Sequence, residues 1–171
     1  MVGNSVYDKS ETRIVFLDRD GIINKLRIDY VKNLAEFELL PNVGKQLAKL
    51  TKAGFKLVII TNQSAINRGL LSIEELNKIH DFLKTNLEND GCVIDSIHFC
   101  PHRPDENCDC RKPKTALLEQ AMTEFQNIDL KHCWMIGDNA SDILAAEKMG
   151  INYLKVESNG SLERYLDHIL E

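Results

Sequence analysis

Three times along the chain a run of four apolar residues breaks off into polar ones. Ile14-Val15-Phe16-Leu17 runs into Asp18-Arg19-Asp20-Gly21, Leu57-Val58-Ile59-Ile60 into Thr61-Asn62-Gln63-Ser64, and Cys133-Trp134-Met135-Ile136 into Gly137-Asp138-Asn139. A short continuous apolar run of this kind reads as a strand buried on both faces that gives way to a loop. Between the runs the spacing turns helical. One helix is expected over residues 43–53, after Pro41 and closed by Gly54. A longer one opens at Ser72, which has capping-box spacing to Glu75; its Ile73, Leu76, Ile79, Leu83 and Leu87 share one face and are expected to be core. Residues 93–99 alternate like another strand. Leu117, Leu118, Ala121, Met122 and Phe125 mark a further amphipathic helix, and residues 151–156 a final strand.

Strands that alternate with helices imply an α/β fold: a doubly wound, mostly parallel, Rossmann-like sheet with helices on both faces and a ligand crevice beyond the carboxyl ends of the strands. All three polar bursts fall at such ends. The two long irregular stretches are residues 24–41 and 101–113, and loops of that length tend to carry function.

Composition narrows the classes. The 171 residues suit one domain, and 43% hydrophobic with 27% charged is ordinary globular usage. Lys and Arg number 21 against 26 Asp and Glu, so the net charge of -5 leaves no basic footprint for a nucleic-acid backbone. No apolar stretch approaches the roughly 20 residues of a membrane span. Residues 1–12 are polar, lack the apolar run of a signal peptide and are expected to be poorly ordered. The expectation is a cytoplasmic protein with no nucleic-acid and no membrane partner, with monomer and homodimer equally open.

The chemistry sits where the strands end. Asp18, Asp20, Asp138 and Asp142 follow two different strands, and the fold is able to gather their four carboxylates in one crevice. Taken singly, each reads as well as a turn or cap residue as it does as a functional one. Together they would repel one another without a hard cation, and Mg2+ suits them because it takes one or two carboxylates, several waters and a substrate phosphate. Gly21 fits the sharp exit the backbone needs after Asp20.

A second constellation is Cys100-Pro-His102-Arg-Pro-Asp-Glu-Asn-Cys108-Asp-Cys110, three thiols and an imidazole inside one short loop. Five cysteines are an odd number and fit a disulfide framework badly. Cys100, His102, Cys108 and Cys110 are enough for a closed tetrahedral Zn2+ site, and a closed site is structural because no position is left for water. His98 lies on the opposite strand parity from Phe99 and is not counted as a ligand. Cys92 and Cys133 read as small buried hydrophobes.

In order and content, Phe-Leu-Asp18-Arg-Asp20-Gly21, Ile-Ile-Thr61-Asn62-Gln63, Arg111-Lys112-Pro113 and Met-Ile-Gly-Asp138-x-x-x-Asp142 resemble the four motifs of the haloacid dehalogenase superfamily of phosphotransferases. The resemblance covers about residues 13–156. It implies a Mg2+-dependent phosphatase without a separate cap domain, in which Asp18 is the nucleophile and Asp20 the general acid and base. It likewise implies that Thr61 binds phosphate, with Asn62 and Gln63 beside it, that Lys112 stabilises the phosphoryl group, and that Asp138 and Asp142 serve the metal. Hydrolysis through an aspartyl-phosphate replaces one hard step by two easier ones.

The cysteine loop narrows the resemblance to a zinc-loop subgroup whose members act on a heptose bisphosphate or on histidinol phosphate. Asp18 to Asn24, Tyr30-Val31 and the stretch from Thr61 to Gly69 look more like the heptose branch. Ala65, where Gly is usual, and Lys114-Thr115-Ala116 depart from it, and the stretch from Gly137 to Leu154 is similar to the histidinol branch. The implied partner is therefore a small phosphorylated metabolite. Arg111 is a candidate contact for its leaving group, and Arg68 a weaker one. A non-catalytic phospho-binding module is the rival from another class; the joint presence of Asp18, Asp20, Lys112 and Asp138 speaks against it. A zinc-knuckle nucleic-acid binder would need more basic or aromatic residues than Arg103 and Arg111 provide.

Overall fold

A computed structural model describes residues 11–171. Five parallel strands form one sheet: β1 (Ile14–Leu17), β2 (Lys56–Asn62), β3 (Ser96–Cys100), β4 (Trp134–Gly137) and β5 (Asn152–Lys155), in the spatial order β3-β2-β1-β4-β5. Five α-helices connect or follow them: α1 (Val43–Lys52), α2 (Ile73–Asn89), α3 (Ala116–Met122), α4 (Ala140–Met149) and α5 (Glu163–Leu170).

The continuous apolar runs are explained by cover on both faces. Val15, Leu17, Leu57 and Ile59 join one core with Leu47 and Leu50 of α1, Leu76, Ile79, Leu83 and Leu87 of α2 and Leu166 and Ile169 of α5. Ile14, Phe16, Val58, Ile60 and Met135 join a second core with Leu117, Leu118 and Ala121 of α3 and Ala145 and Ala146 of α4. Successive strand residues point to opposite faces, so each run splits evenly between the two cores. The chain leaves β1 toward β2 on one side and returns to β4 on the other. That reversal opens a crevice between the carboxyl ends of β1 and β4.

The elements shift in detail from the sequence expectation. β3 begins at Ser96, and Val93 is exposed ahead of it. α3 ends at Met122, with Phe125 packed on the second core from beyond the helix. Ser72 caps α2 by accepting from Glu75 N, but Ile73 in the first turn is 50% exposed and does not join the core stripe. There the neighbouring backbone is the 3-10 turn Leu34–Glu36, whose Leu34 amide is held by Glu75. The sequence expectation of poor order over residues 1–12 lies mostly outside the described residues. Thr12, however, is tied: it bridges Ile128, donating its amide to Asn127 and accepting from Asp129 N. Helix α5 was not expected; its Leu166 and Ile169, with Leu162 just before it, are buried. Among the described residues no helix is long and apolar enough to cross a membrane.

Candidate active site

Asp18 is the first residue after β1, and its amide donates to Ile136 O of β4, which fixes it at the mouth of the crevice. Its carboxylate is almost wholly buried. Oδ1 accepts from the Arg19 amide at 2.8 Å and lies 3.0 Å from Lys112 Nζ. Burial pushes the Asp18 carboxyl up to about 7, a rise that Lys112 opposes and the neighbouring Asp142 and Asp20 reinforce.

Lys112 joins the site from the other loop. Its ammonium donates to Asp142 Oδ1 at 2.6 Å and to Ile60 O at 2.7 Å, and the Asp18 contact uses its third proton. Burial works against its charge, but Asp18 and Asp142 together raise its pKa above the ordinary lysine value. Asn62 at the end of β2 holds the Lys112 backbone from both sides: Oδ1 accepts from Lys112 N at 3.1 Å, and Nδ2 donates to Lys112 O at 3.3 Å.

Asp142 is spent before any ligand arrives. Besides Lys112, it accepts from Asn139 N at 3.1 Å as the third residue of α4, closing the helix cap. Asp138 keeps more freedom; its Oδ1 accepts from Asn139 Nδ2 at 2.7 Å. One carboxylate oxygen each from Asp18, Asp138 and Asp142 fall within 4.8 Å of one another. Two glycines make room for this group. A Cβ on Gly21, whose φ is +87, would lie 2.5 Å from Asp138 Oδ2, and one on Gly137 would lie 2.3 Å from Asp142 Oδ2.

Asp20 lies apart from that group, which departs from the expectation of four metal-facing carboxylates. Its Oδ1 accepts from Arg19 Nη2 at 3.0 Å and Asn24 Nδ2 at 2.9 Å, and its Oδ2 from Gln63 Nε2 at 2.7 Å. Burial would raise its pKa, but the Arg19 charge and these hydrogen bonds prevail and lower it. Three donors already direct this carboxylate into the crevice wall. Thr61 also departs from expectation: it is fully buried in β2, accepts from Gln63 Nε2 at 2.9 Å, and is not among the residues that line the cavity.

That cavity is about 380 Å³ and opens over Asp18 and Asp20. Lys112, Asn62 and Gln63 line its floor, and Arg27, Arg68 and Arg111 its walls. Arg68 stands over the Tyr30 ring, 5.7 Å from its centroid. Arg111 is held by the carbonyl of His102 at 3.3 Å. The wall is thus cationic and the floor carries the buried carboxylates, an arrangement suited to an anionic ligand.

The cysteine loop assembles as expected from its spacing. Cys100 at the end of β3 has its Sγ 2.8 Å from that of Cys110, 3.6 Å from that of Cys108 and 3.5 Å from His102 Nδ1, and His102 Nδ1 is 3.2 Å from Cys110 Sγ. The thiols are free, and all four donor atoms lie within 4.8 Å of one another. Three sulfurs and one imidazole nitrogen are the donor set of a tetrahedral zinc site. His98 is engaged elsewhere, with Glu124 at 2.9 Å. Cys92 and Cys133 are buried, and burial pushes their thiols up to about 12 and about 11, so they stay unreactive at neutral pH.

Two contributors escaped the sequence reading. Arg19 is completely buried, and its Nη1 meets Nε2 of His80, itself buried on α2, at 3.2 Å. The available signal was position: His80 follows Ile79 and precedes Leu83 by three, which puts it on the core-facing stripe.

The sequence profile of the haloacid dehalogenase-like hydrolases matches residues 1–150. The D-glycero-beta-D-manno-heptose-1,7-bisphosphate 7-phosphatase of Haemophilus ducreyi is 40% identical over 146 residues, 81% of this chain and 79% of its own length. The enzyme of the same name from Helicobacter pylori J99 is 43% identical over 148 residues, 86% of this chain and 81% of its own. Among solved structures, the D,D-heptose 1,7-bisphosphate phosphatase of B. bronchiseptica, complexed with magnesium and phosphate, superposes with a TM-score of 0.81 at 35% identity, covering 90% of this chain and 84% of that one.

Proposed function

The chain belongs to the haloacid dehalogenase-like hydrolases, and from that premise we propose that it removes the 7-phosphate of a D-glycero-D-manno-heptose 1,7-bisphosphate. The observation that carries the catalytic part is the Lys112 ammonium set between Asp18 and Asp142, beside Asp138, at the carboxyl ends of β1 and β4. The substrate rests on the relatives' names and on the cationic wall, which suits a ligand with a second phosphate.

Carboxylate oxygens of Asp18, Asp138 and Asp142 within 4.8 Å of one another are answered by the single ammonium of Lys112, and a hard cation would neutralise the remaining charge. Asp18 and Asp138 would hold Mg2+, while Asp142 orients Lys112; the bound cation supplies charge neutralisation at the phosphoryl oxygens. An Asp18 oxygen then attacks phosphorus as the ester P–O bond breaks, and Asp20 hands its proton to the departing alkoxide. Without substrate Asp20 is held in the carboxylate form; a phosphate dianion beside it raises its proton affinity and so equips it for that transfer. Asp20 next takes a proton from water, which attacks the acyl phosphate and releases inorganic phosphate and free Asp18. Lys112 stabilises the phosphoryl oxygens in both steps. Cys100, His102, Cys108 and Cys110 would hold Zn2+ as a staple; Cys110 is joined directly to Arg111 and Lys112.

The test is a comparison of kcat/KM among both anomers of heptose 1,7-bisphosphate, histidinol phosphate and short sugar phosphates, with Mg2+ and with a chelator. The expected outcome is Mg2+-dependent turnover with a preference for one heptose anomer. A preference for histidinol phosphate overturns the substrate, and full turnover in the chelator overturns the metal.

A further inference from the structure

We propose that His80 is a positioning residue for the acid/base aspartate, acting on Asp20 through Arg19. The inference rests on the catalytic role proposed for Asp20 and adds a residue that touches neither substrate nor metal.

Arg19 is 0% exposed, and the carboxylate paired with it is that of Asp20, 3.0 Å from Nη2. On the far side Nη1 meets His80 Nε2 at 3.2 Å, and Nε has no hydrogen-bond partner. The Phe37 ring lies 5.6 Å from the guanidinium carbon, and the His80 and Phe99 rings are 6.3 Å apart, so the walls around the pair are apolar. A guanidinium donates only, so His80 must accept at Nε2 and carry its proton on Nδ1. Burial and the Arg19 charge favour that neutral ring.

The consequence reaches the carboxylate one oxygen at a time. Asp20 Oδ1 takes hydrogen bonds from Arg19 and Asn24, which fill both its lone pairs, whereas Oδ2 takes one, from Gln63. Oδ2 is therefore the oxygen with a lone pair left for proton transfer. If His80 no longer accepts from Nη1, the guanidinium is free to turn, Oδ1 loses a donor, and the two oxygens compete for the proton.

Two variants separate this from plain core packing. His80→Gln places a carbonyl oxygen near the position of Nε2; His80→Leu fills the apolar space and accepts nothing. Turnover of heptose 1,7-bisphosphate at saturating Mg2+ is measured well below both melting temperatures. For H80L the expected result is a fall in kcat of at least about tenfold with KM within about twofold, and H80Q stays within about threefold of wild type. In an Arg19→Lys background H80L is expected to add nothing, because the link it breaks is already broken. H80L turning over at the wild-type rate, H80Q falling as far as H80L, or a full additional loss on R19K overturns the proposal. Wild-type protein that hydrolyses no phosphomonoester overturns the catalytic reading of Asp20 and this inference with it.

Discussion

Gly137 and Asp142 occupy each other's space: a methyl group on the glycine would stand 2.3 Å from Asp142 Oδ2. The last residue of β4 is thus glycine for the sake of a carboxylate five residues on, which caps α4 and anchors Lys112. Gly137→Ala should displace that carboxylate, costing about 1–3 kcal/mol of stability and reducing kcat. Urea unfolding together with phosphate release checks it; an alanine variant with wild-type values of both shows that the cradle yields freely.

Asp18→Asn removes the nucleophile while leaving Lys112 paired with Asp142. Phosphate release should fall by at least about 10³-fold with the fold retained. Circular dichroism and a phosphate assay measure the two sides, and near wild-type turnover refutes the nucleophile assignment.

Lys112→Met leaves two buried carboxylates without their shared cation. Breaking a buried pair in this way costs about 3–5 kcal/mol, so the variant should unfold at much lower denaturant than wild type. An unfolding midpoint equal to that of the wild type would place the stabilising charge elsewhere.

Acid should destabilise the His80 region. Burial and Arg19 hold its pKa down at about 3 in the folded protein, from an ordinary value of 6.5. The unfolded chain therefore binds the extra proton first, and the stability present above pH 6.5 is lost as pH falls toward 3. Asp18, raised to about 7, acts in the opposite sense across pH 7 to 4 in wild type and variant alike. The difference between wild type and His80→Gln isolates the histidine. It should change by a few kcal/mol between pH 7 and 4, the wild type losing more, and a flat difference curve contradicts the neutral buried ring.

Zinc removal should lower melting temperature and turnover together, because the four-ligand loop runs straight into Arg111 and Lys112. Metal content, a thermal scan and kcat on the same chelated sample are the readouts. Unchanged activity in protein shown to be zinc-free would break the coupling.

The strands and the placement of the aspartates at their ends were legible because each depends on neighbours in sequence. A strand covered on both faces must be apolar throughout, and a polar residue just past it must stand at the sheet's end, which located Asp18 and Asp138; β2 instead runs on through Thr61 to Asn62. What depends on packing between distant elements was not. The stripe on α2 shows that His80 faces inward but not that it meets Arg19, since that requires α2 to lie against the end of β1. Asp20 carried the right residue type for a metal ligand, yet donors from Arg19, Asn24 and Gln63 fix it in the cavity lining apart from the Asp18, Asp138 and Asp142 group, and Gln63 also occupies the Thr61 hydroxyl. The α5 helix offered Leu162, Leu166 and Ile169 at helical spacing over barely two turns, too short a signal beside a polar stretch.

The ammonium of Lys112 has three hydrogens and three acceptors, one of them Asp18. On the reading proposed above, the resting protein already seats an anion of its own where the phosphoryl oxygen will go. A visiting anion must evict that tenant, so weakly charged visitors such as chloride or nitrate should be poor inhibitors, and selectivity begins before any sugar is recognised.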